Sequence, residues 1–220
     1  HGPASDPAAA VRAAAPQGAA AGLRAAAQEG RRYVLGCPAG RTPLPIYRAL
    51  AAHAADLDLS RLHLIMMDEF VERSGEGWRL VSTDVHHSCI GFALRMILPG
   101  LPGLPLQNLH APDPEEPDAH ESLIDSLGGI DLFLLASGAS DGHVAFNPPG
   151  TPIDSRTRIV RLAEETRRDN LSTFPAFRDL DDVPTHGVSV GLGTIASQSR
   201  AASIIASACS MLLMLKAGTP

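Results

Sequence analysis

Three short apolar runs, at residues 32–37, 61–67 and 130–135, each end in a loop rich in small, polar or acidic residues. Segments with the composition of helices lie between and around these runs. They cover residues 7–29, 44–55, 84–98 and 118–127. Strands that alternate with helices are typical of βαβ units. The sequence therefore predicts an α/β fold in which helices flank a mostly parallel central sheet, in a single domain over residues 1–220.

The rest of the chain carries weaker patterns. Residues 72–82 predict a mobile loop, and residues 99–117 predict a long connection, because both stretches are rich in residues that break regular structure. Two further strands are expected at 156–162 and 187–190. After Thr194 the pattern allows a helix, a strand and a further helix.

The composition excludes several classes of function. The net charge is −6, aromatic residues make up 4%, and no basic stripe is visible, so a nucleic-acid partner is not expected. The three cysteines, Cys37, Cys89 and Cys209, form no CxxC pair, which argues against a disulfide framework and against a zinc site. Residues 201–215 are apolar but too few and too rich in serine to span a bilayer. These features predict a cytoplasmic protein without a membrane partner.

The loop after the first apolar run has the composition of an anion site. Residues 36–43 read Gly-Cys-Pro-Ala-Gly-Arg-Thr-Pro and lie between a predicted strand and a predicted helix. Backbone N–H groups and the positive end of a helix attract anions at such a junction. Gly40 would allow close approach of the backbone, while Arg41 and Thr42 offer a guanidinium and a hydroxyl to a phosphate. A tight turn in which Thr42 caps the helix and Pro43 begins it explains the loop equally well.

The second apolar run ends at two adjacent carboxylates, Asp68 and Glu69. Desolvation at the end of a buried strand raises the pKa of a carboxyl group and makes it a useful base near neutral pH. A helix N-cap or a surface turn is the more common explanation for an acidic pair taken alone.

The third apolar run leads into Ser-Gly-Ala-Ser-Asp-Gly-His at residues 137–143. An aspartate such as Asp141 can orient the imidazole of His143 and stabilise its charged form, and histidine titrates close to neutral pH. Small residues such as Gly138 would let a substrate approach the loop. An Asp-Gly turn without a catalytic role is the alternative.

Four arginines could add positive charge to a phosphate site. Arg156 and Arg158 alternate on a predicted strand and therefore share one face, and Arg167 and Arg168 follow shortly after. A solvated charged face is the more common explanation for such a set.

A metal site at His86, His87 and Cys89 is not predicted. Adjacent histidines on a helix point about 100° apart. No carboxylate stands at metal-ligand spacing from them in the sequence.

Several of these segments together resemble the glucosamine-6-phosphate deaminases, with the related 6-phosphogluconolactonases. The matching motifs stand in the family's order at residues 35–44, 67–71, 138–150, 155–158 and 190–195. The most specific of them is Asp-Gly-His-Val-Ala-Phe-Asn, which begins at Asp141, and the likeness extends over about residues 30–200. The resemblance implies a Rossmann-like α/β fold and a small phosphorylated sugar as the bound partner, and it allows a homo-oligomer.

The resemblance also implies roles for the residues identified above. Asp68 resembles the base that moves a proton between C1 and C2 of the opened sugar, and His143, oriented by Asp141, resembles the acid and base of ring opening. An amino aldose would become a ketose with loss of ammonia, without a redox cofactor or a metal. The residues expected to bind the substrate or its phosphate are Gly40, Arg41, Thr42, Glu69, Gly138, Asn147, Arg167 and Arg168.

The chain also departs from the deaminase pattern. Pro148 stands where the deaminases have a glutamate, and Ser172 stands where they have a phosphate-binding arginine. Lys216 is the only nearby candidate for a late phosphate-binding lysine of the family. Two alternatives follow: a lactonase that acts on 6-phosphogluconolactone with His143 as the base for water, and a sugar-phosphate-binding protein without catalysis.

Overall fold

The structure is a computed structural model that describes residues 7–136, 138, 140–205 and 210–213. The described strands are β1 (Tyr33–Cys37), β2 (Leu62–Met66), β3 (Asp68–Ser74), β4 (Gly77–Leu80), β5 (Leu109–His110), β6 (Leu132–Ala136), β7 (Arg158–Arg161), β8 (His186–Ser189), β9 (Ala202–Ile205) and β10 (Ser210–Leu213). Six of them form one sheet in the order β10-β9-β6-β1-β2-β5. Every neighbouring pair in this sheet is parallel except β9 and β10. The predicted α/β fold with a mostly parallel central sheet is confirmed.

A second sheet was not predicted from the sequence. Strands β4, β3, β8 and β7 form it in that order, and all its pairs are antiparallel. The prediction of a loop at 72–82 is wrong, because β3 and β4 form a hairpin in which Arg73 pairs with Trp78. Most residues of this hairpin are exposed. Its sequence therefore lacks the apolar pattern of a buried strand. A cation–π contact stabilises the hairpin, because the Arg73 guanidinium lies 4.2 Å from the Trp78 ring centroid.

The structure describes six α-helices, and all but the fifth contribute buried residues to the apolar clusters of the core. They are α1 (Pro7–Gln28), α2 (Leu44–Ala51), α3 (Cys89–Phe92), α4 (Pro117–Ser126), α5 (Glu164–Thr173) and α6 (Leu192–Gln198). The predicted helix at 84–98 begins only at α3, because the Ser88 side chain caps it by accepting from the Gly91 N–H. A π-helical turn over Ala93–Ile97 continues α3.

The end of the chain only partly follows the prediction. The expected helix and strand after Thr194 are α6 and β9, but the next described segment, 210–213, is the strand β10 rather than a helix. The remainder of that prediction, including Lys216, lies outside the described residues. Within the described part of the chain, no helix combines the length and the apolar character that crossing a membrane requires.

The core lies on both sides of the central strands. Alternate side chains of a strand point to opposite faces, and here Leu35 and Leu64 pack in one apolar cluster while Val34 and Ile65 pack in another. All four are at most 1% exposed. This continuous burial is typical of a parallel sheet that is covered on both faces.

Gly36 has a structural role in this core. It pairs in register with Phe133 of β6, and a Cβ added at Gly36 would lie 2.4 Å from a carbon of the Phe133 ring. The ring therefore occupies the space that a side chain on β1 would need.

We expect the Gly36→Ala substitution to lower the free energy of unfolding by about 1–3 kcal/mol, because the methyl group would displace a buried ring. Gly18→Ala is the matched control, since an added Cβ at this helical position has no heavy atom within 4 Å. The control should raise stability by up to about 1 kcal/mol through helix propensity. Urea denaturation of both variants tests this, and a Gly36→Ala protein as stable as the wild type would contradict the packing described.

Three histidines lie near the β5 edge of the larger sheet. His63 Nδ1 and His110 Nε2 are 3.0 Å apart and their rings stack, with centroids 5.3 Å apart. His120 on α4 is 4% exposed. Burial lowers the pKa of His63 and of His120 to about 4 and also lowers the pKa of His110, although the Glu121 carboxylate opposes the shift at His120. The folded protein therefore favours neutral rings at this edge.

This cluster predicts a loss of stability in mild acid. In the unfolded chain His63 and His120 bind protons below the ordinary histidine pKa of about 6.5, whereas in the folded chain these two rings do not until about pH 4, so the free energy of unfolding falls across this window. His120→Leu should remove roughly 2 kcal/mol of the loss between about pH 7 and about pH 5. Denaturation at the two pH values measures it, with the exposed His53→Leu as control. Equal pH dependence in all three proteins would contradict the prediction.

Candidate active site

A cavity of about 310 Å³ opens where the chain leaves β1, β2 and β6 at their carboxyl ends. Parallel sheets bind their ligands at this edge. Six of the residues predicted from the sequence line it: Gly40, Arg41, Thr42, Asp68, Gly138 and His143. The cavity therefore brings together the three segments that the sequence singled out, although the segment that begins at Asp68 is the strand β3 and not a loop.

The loop between β1 and α2 forms one wall. The buried Tyr47 hydroxyl donates to the Pro38 carbonyl oxygen at 2.7 Å and thereby fixes the loop to α2. Gly40 has a φ of +93°, a left-handed conformation that glycine adopts without steric cost. The N-cap of α2 is Pro43, and no side chain caps this helix, so the expected capping role of Thr42 is wrong. Arg41 and Thr42 are exposed at the cavity instead.

Asp68 forms the floor of the cavity. Asp68 is 7% exposed and lies where the chain passes from the parallel sheet into β3. Burial raises the pKa of Asp68 to about 7, and the nearby Glu69 carboxylate adds to the rise. A hydrogen bond from the Cys89 thiol, with Sγ 3.3 Å from Oδ1, acts in the opposite direction. A carboxyl group of this pKa can both accept and return a proton near neutral pH.

Glu69 lies outside the cavity, which corrects its expected role in substrate binding. Its carboxylate is fully buried and accepts hydrogen bonds from the N–H groups of Phe70, Cys89 and Ile90 and from the Ser88 hydroxyl, at 2.7–2.9 Å. These four donors use the acceptor capacity of both oxygens. Glu69 therefore attaches the start of α3 to β3.

The loop after β6 holds a histidine–aspartate pair. His143 Nδ1 lies 2.6 Å from Asp141 Oδ1, and the His143 N–H donates to the same oxygen at 3.0 Å. Burial opposes ionisation of Asp141, but these two hydrogen bonds hold its pKa below the ordinary value. A Cβ at Gly138 would lie 2.1 Å from His143 Nδ1, so only glycine allows the ring to pack there. The pair leaves Nε2 as the nitrogen that can act on a ligand.

The opposite wall is α5, which the sequence did not predict as a helix. Asp169, Ser172 and Phe174 of this segment line the cavity. Asp169 accepts hydrogen bonds from the N–H and the hydroxyl of Ser140, which join α5 to the loop of His143. The helix carries almost no apolar pattern, and the two glutamates of its first turn, which favour a helix N-terminus, were the available signal.

Arg167 and Arg168 belong to α5 but do not line the cavity, contrary to their expected contact with a phosphate. The Arg167 guanidinium donates to the carbonyl oxygens of Leu180 and Val183. Arg168 pairs with Glu164 one turn earlier on the same helix. Both side chains stabilise the wall from outside.

Arg156 and Arg158 also lie away from the cavity. The exposed Arg156 reaches Glu121, with Nη2 3.5 Å from Oε2, and Arg158 donates to the Arg156 carbonyl oxygen at 3.1 Å. The buried Glu121 also accepts from the N–H and the hydroxyl of Thr157. This carboxylate fixes the segment that leads into β7.

Asn147 stabilises a turn and does not reach the cavity, which corrects its expected contact with substrate. Its amide donates to the carbonyl oxygens of Val144 at 3.1 Å and Val190 at 2.7 Å. The turn includes Ala145, whose φ of +54° is costly for a residue other than glycine. Asn147 therefore holds the strained turn that carries Ala145 and Phe146 to the cavity.

Among the described residues, one group has metal-ligand spacing: Asp141, His143 and Asp169 each place one ligand atom within 4.8 Å of the others. Both carboxylates already accept the hydrogen bonds given above. His86 and His87 are not in this group, and their rings pack against Phe177. We assign no ion to either place.

The chain is similar in sequence to enzymes of one family. The profile of a family described as glucosamine-6-phosphate isomerases/6-phosphogluconolactonase matches residues 5–172. Glucosamine-6-phosphate deaminases from Pseudarthrobacter chlorophenolicus and Porphyromonas gingivalis are 40% identical over 169 residues and 38% identical over 180 residues. These alignments cover 74% and 78% of this chain but 60% and 64% of the relatives. The chain thus spans less than two thirds of their length.

Solved structures give the same result at the level of the fold. A monomeric glucosamine-6-phosphate deaminase matches with a TM-score of 0.73 and 27% identity, over 88% of this chain and 76% of that one. The 6-phosphogluconolactonase of Thermotoga maritima matches with a TM-score of 0.61 and 19% identity, over 88% and 78%, and shares the fold. Because the family profile covers well over half of the sequence, this chain belongs to the family of the glucosamine-6-phosphate isomerases and 6-phosphogluconolactonases.

Proposed function

We propose that the cavity binds glucosamine 6-phosphate and converts it to fructose 6-phosphate and ammonia. The observation that carries this proposal is that Asp68 and His143, which is hydrogen-bonded to Asp141, line the same cavity. Burial raises the pKa of Asp68 to about 7. Isomerisation needs a base that both removes and returns a proton, whereas hydrolysis of a lactone needs only one base for water.

Arg41 is the best candidate to bind the phosphate. No other arginine or lysine among the described residues lines the cavity, and Ser172, where the deaminases have an arginine, presents only a hydroxyl. The backbone of the same loop and the Thr42 hydroxyl lie next to Arg41. A guanidinium with adjacent N–H and O–H donors is a common phosphate site.

The proposed reaction has two stages. His143 first opens the sugar ring, moving the proton of the C1 hydroxyl to the ring oxygen. Asp68 then takes the proton from C2 and returns it to C1, while the amine loses one proton and the C1 oxygen gains one, so that C1 becomes a CH2OH group and an imine is left at C2. Water adds to this carbon and ammonia leaves, so the ketone oxygen comes from water. Asp141 keeps the imidazole in one orientation throughout.

Lactone hydrolysis is the second candidate. The His143–Asp141 couple could activate water without Asp68, and Pro148, at the place of a family glutamate, lies outside this cavity. A cytoplasmic setting is part of the proposal and is supported by the buried free thiols Cys37 and Cys89. Assembly into a homo-oligomer and the absence of a cofactor remain predictions.

We predict that Asp68→Asn lowers the rate of ammonia release from glucosamine 6-phosphate by about 10²–10⁴-fold, because the amide cannot accept the C2 proton. Ammonia and fructose 6-phosphate are followed together, and 6-phosphogluconolactone is tested alongside. Asp84→Asn is the matched control, since Asp84 is exposed and outside the cavity. Lactone hydrolysis that survives Asp68→Asn, with no ammonia from the wild type, would replace the deaminase with the lactonase.

Arg41→Ala should raise the KM for glucosamine 6-phosphate by about tenfold or more and leave kcat less affected, because a charged hydrogen bond to the phosphate is lost. Arg48→Ala is the control, since Arg48 is exposed on α2 and does not line the cavity. Steady-state kinetics at constant ionic strength measure both. An unchanged KM in the Arg41 variant would show that the phosphate is bound elsewhere.

A further inference from the structure

Cys89 is a cavity residue to which the proposed reaction assigns no step. It lies at the start of α3, is 4% exposed and lines the cavity next to Asp68. Its Sγ is 3.3 Å from Asp68 Oδ1, within the distance of a hydrogen bond to sulfur. The other buried cysteine, Cys37, instead donates its thiol hydrogen to the Leu35 carbonyl oxygen, with Sγ 3.5 Å from that oxygen.

We infer that Cys89 is a positioning residue for the base: its thiol donates a hydrogen bond to Asp68 Oδ1 and leaves Oδ2 to exchange the proton with the substrate. The assignment of a substrate to this base rests on the proposed function. The hydrogen bond itself does not.

The thiol can only donate in this position. Burial raises the pKa of Cys89 well above its usual range, and the Glu69 and Asp68 carboxylates add to the rise, so the sulfur keeps its proton at neutral pH. A protonated thiol beside a carboxylate offers one S–H donor. It is therefore a weak donor aimed at the ionised form of Asp68.

The position of the thiol is fixed by the backbone. Glu69 accepts from the Cys89 N–H at 2.9 Å and from the Ile90 N–H at 2.8 Å, and the same carboxylate accepts from the Ser88 hydroxyl. Glu69 follows Asp68 directly in β3. Glu69 therefore binds the backbone of residues 88–90, while Asp68 accepts from the Cys89 side chain in the same segment. Glu69 thus determines where the Cys89 sulfur stands relative to Asp68.

A hydrogen-bond donor next to Asp68 determines the pH at which this base ionises. The hydrogen bond stabilises the carboxylate form and so opposes the rise that burial causes in the pKa of Asp68. A stronger donor should lower the pH at which Asp68 ionises, and loss of the donor should raise it. A residue that only fills space would not shift the titration in opposite directions with donor strength.

The test compares Cys89→Ser, a stronger donor of similar size, with Cys89→Val, which has no donor. The acid limb of kcat/KM for glucosamine 6-phosphate should move to lower pH in the serine variant and to higher pH in the valine variant, each by about half a pH unit or more. Cys37→Ser is the matched control for a buried cysteine outside the cavity, and its acid limb should match that of the wild type. Cys89→Ala replaces Cys89→Val if the latter does not fold.

A second measurement separates this inference from the proposed function. The side-chain carboxyl ¹³C resonance of Asp68, identified by its loss in Asp68→Asn, is titrated in the unliganded proteins and needs no turnover. Opposite shifts of its midpoint in the serine and valine variants support the hydrogen bond even if glucosamine 6-phosphate is not turned over, in which case only the proposed function fails. Midpoints that do not move, or that move in the same direction, overturn the role of Cys89.

Discussion

The buried carboxylate of Glu69 is the interaction on which the site depends. Glu69 is the second residue of β3, where the chain passes from the parallel sheet into the antiparallel sheet. Its carboxylate accepts four hydrogen bonds, from Phe70 of its own strand and from residues 88–90. A buried carboxylate without such donors would be costly. With them, it fixes both the strand that carries Asp68 and the turn that carries Cys89. The reactive carboxylate can therefore be buried without losing its orientation.

The two sheets meet at this same place. Met66 ends β2 and Asp68 begins β3, so that Met67 lies between the two strands. The Met67 carbonyl oxygen accepts a hydrogen bond from the Val190 N–H at 2.9 Å, and the Met67 N–H donates to the Cys37 carbonyl oxygen at 3.3 Å. The residue before the base is thus held by both sheets. The position of Asp68 follows from the topology rather than from a flexible loop, and rigid elements place reactive groups more accurately than loops do.

Much of this arrangement could be predicted from sequence, and the exceptions have physical reasons. The parallel strands were visible because burial on both faces leaves continuous apolar runs, such as Tyr33–Cys37. The hairpin of β3 and β4 and the polar helix α5 were missed because exposed elements carry little hydrophobic pattern. The segments that follow β1, β2 and β6 contain six of the residues that were predicted for the site, and α5 contributes cavity residues that were not predicted. Glu69, Asn147 and Arg167 were expected at the cavity, but each of them binds backbone groups 13 or more residues away in the sequence, which no local pattern reveals. Arg168 was misplaced for a different reason, because it pairs with Glu164 on its own helix.

The central step of the proposed reaction is the transfer of a proton from C2 to C1 by one buried carboxylate, that of Asp68. The most direct measurement uses glucosamine 6-phosphate labelled with deuterium at C2 and reads the label in the fructose 6-phosphate product by NMR. Because Asp68 is only 7% exposed, its captured deuteron should exchange slowly with water, and a measurable fraction should arrive at C1. Product formed with all of the label lost to water, or label transfer that persists in Asp68→Asn, would contradict the account.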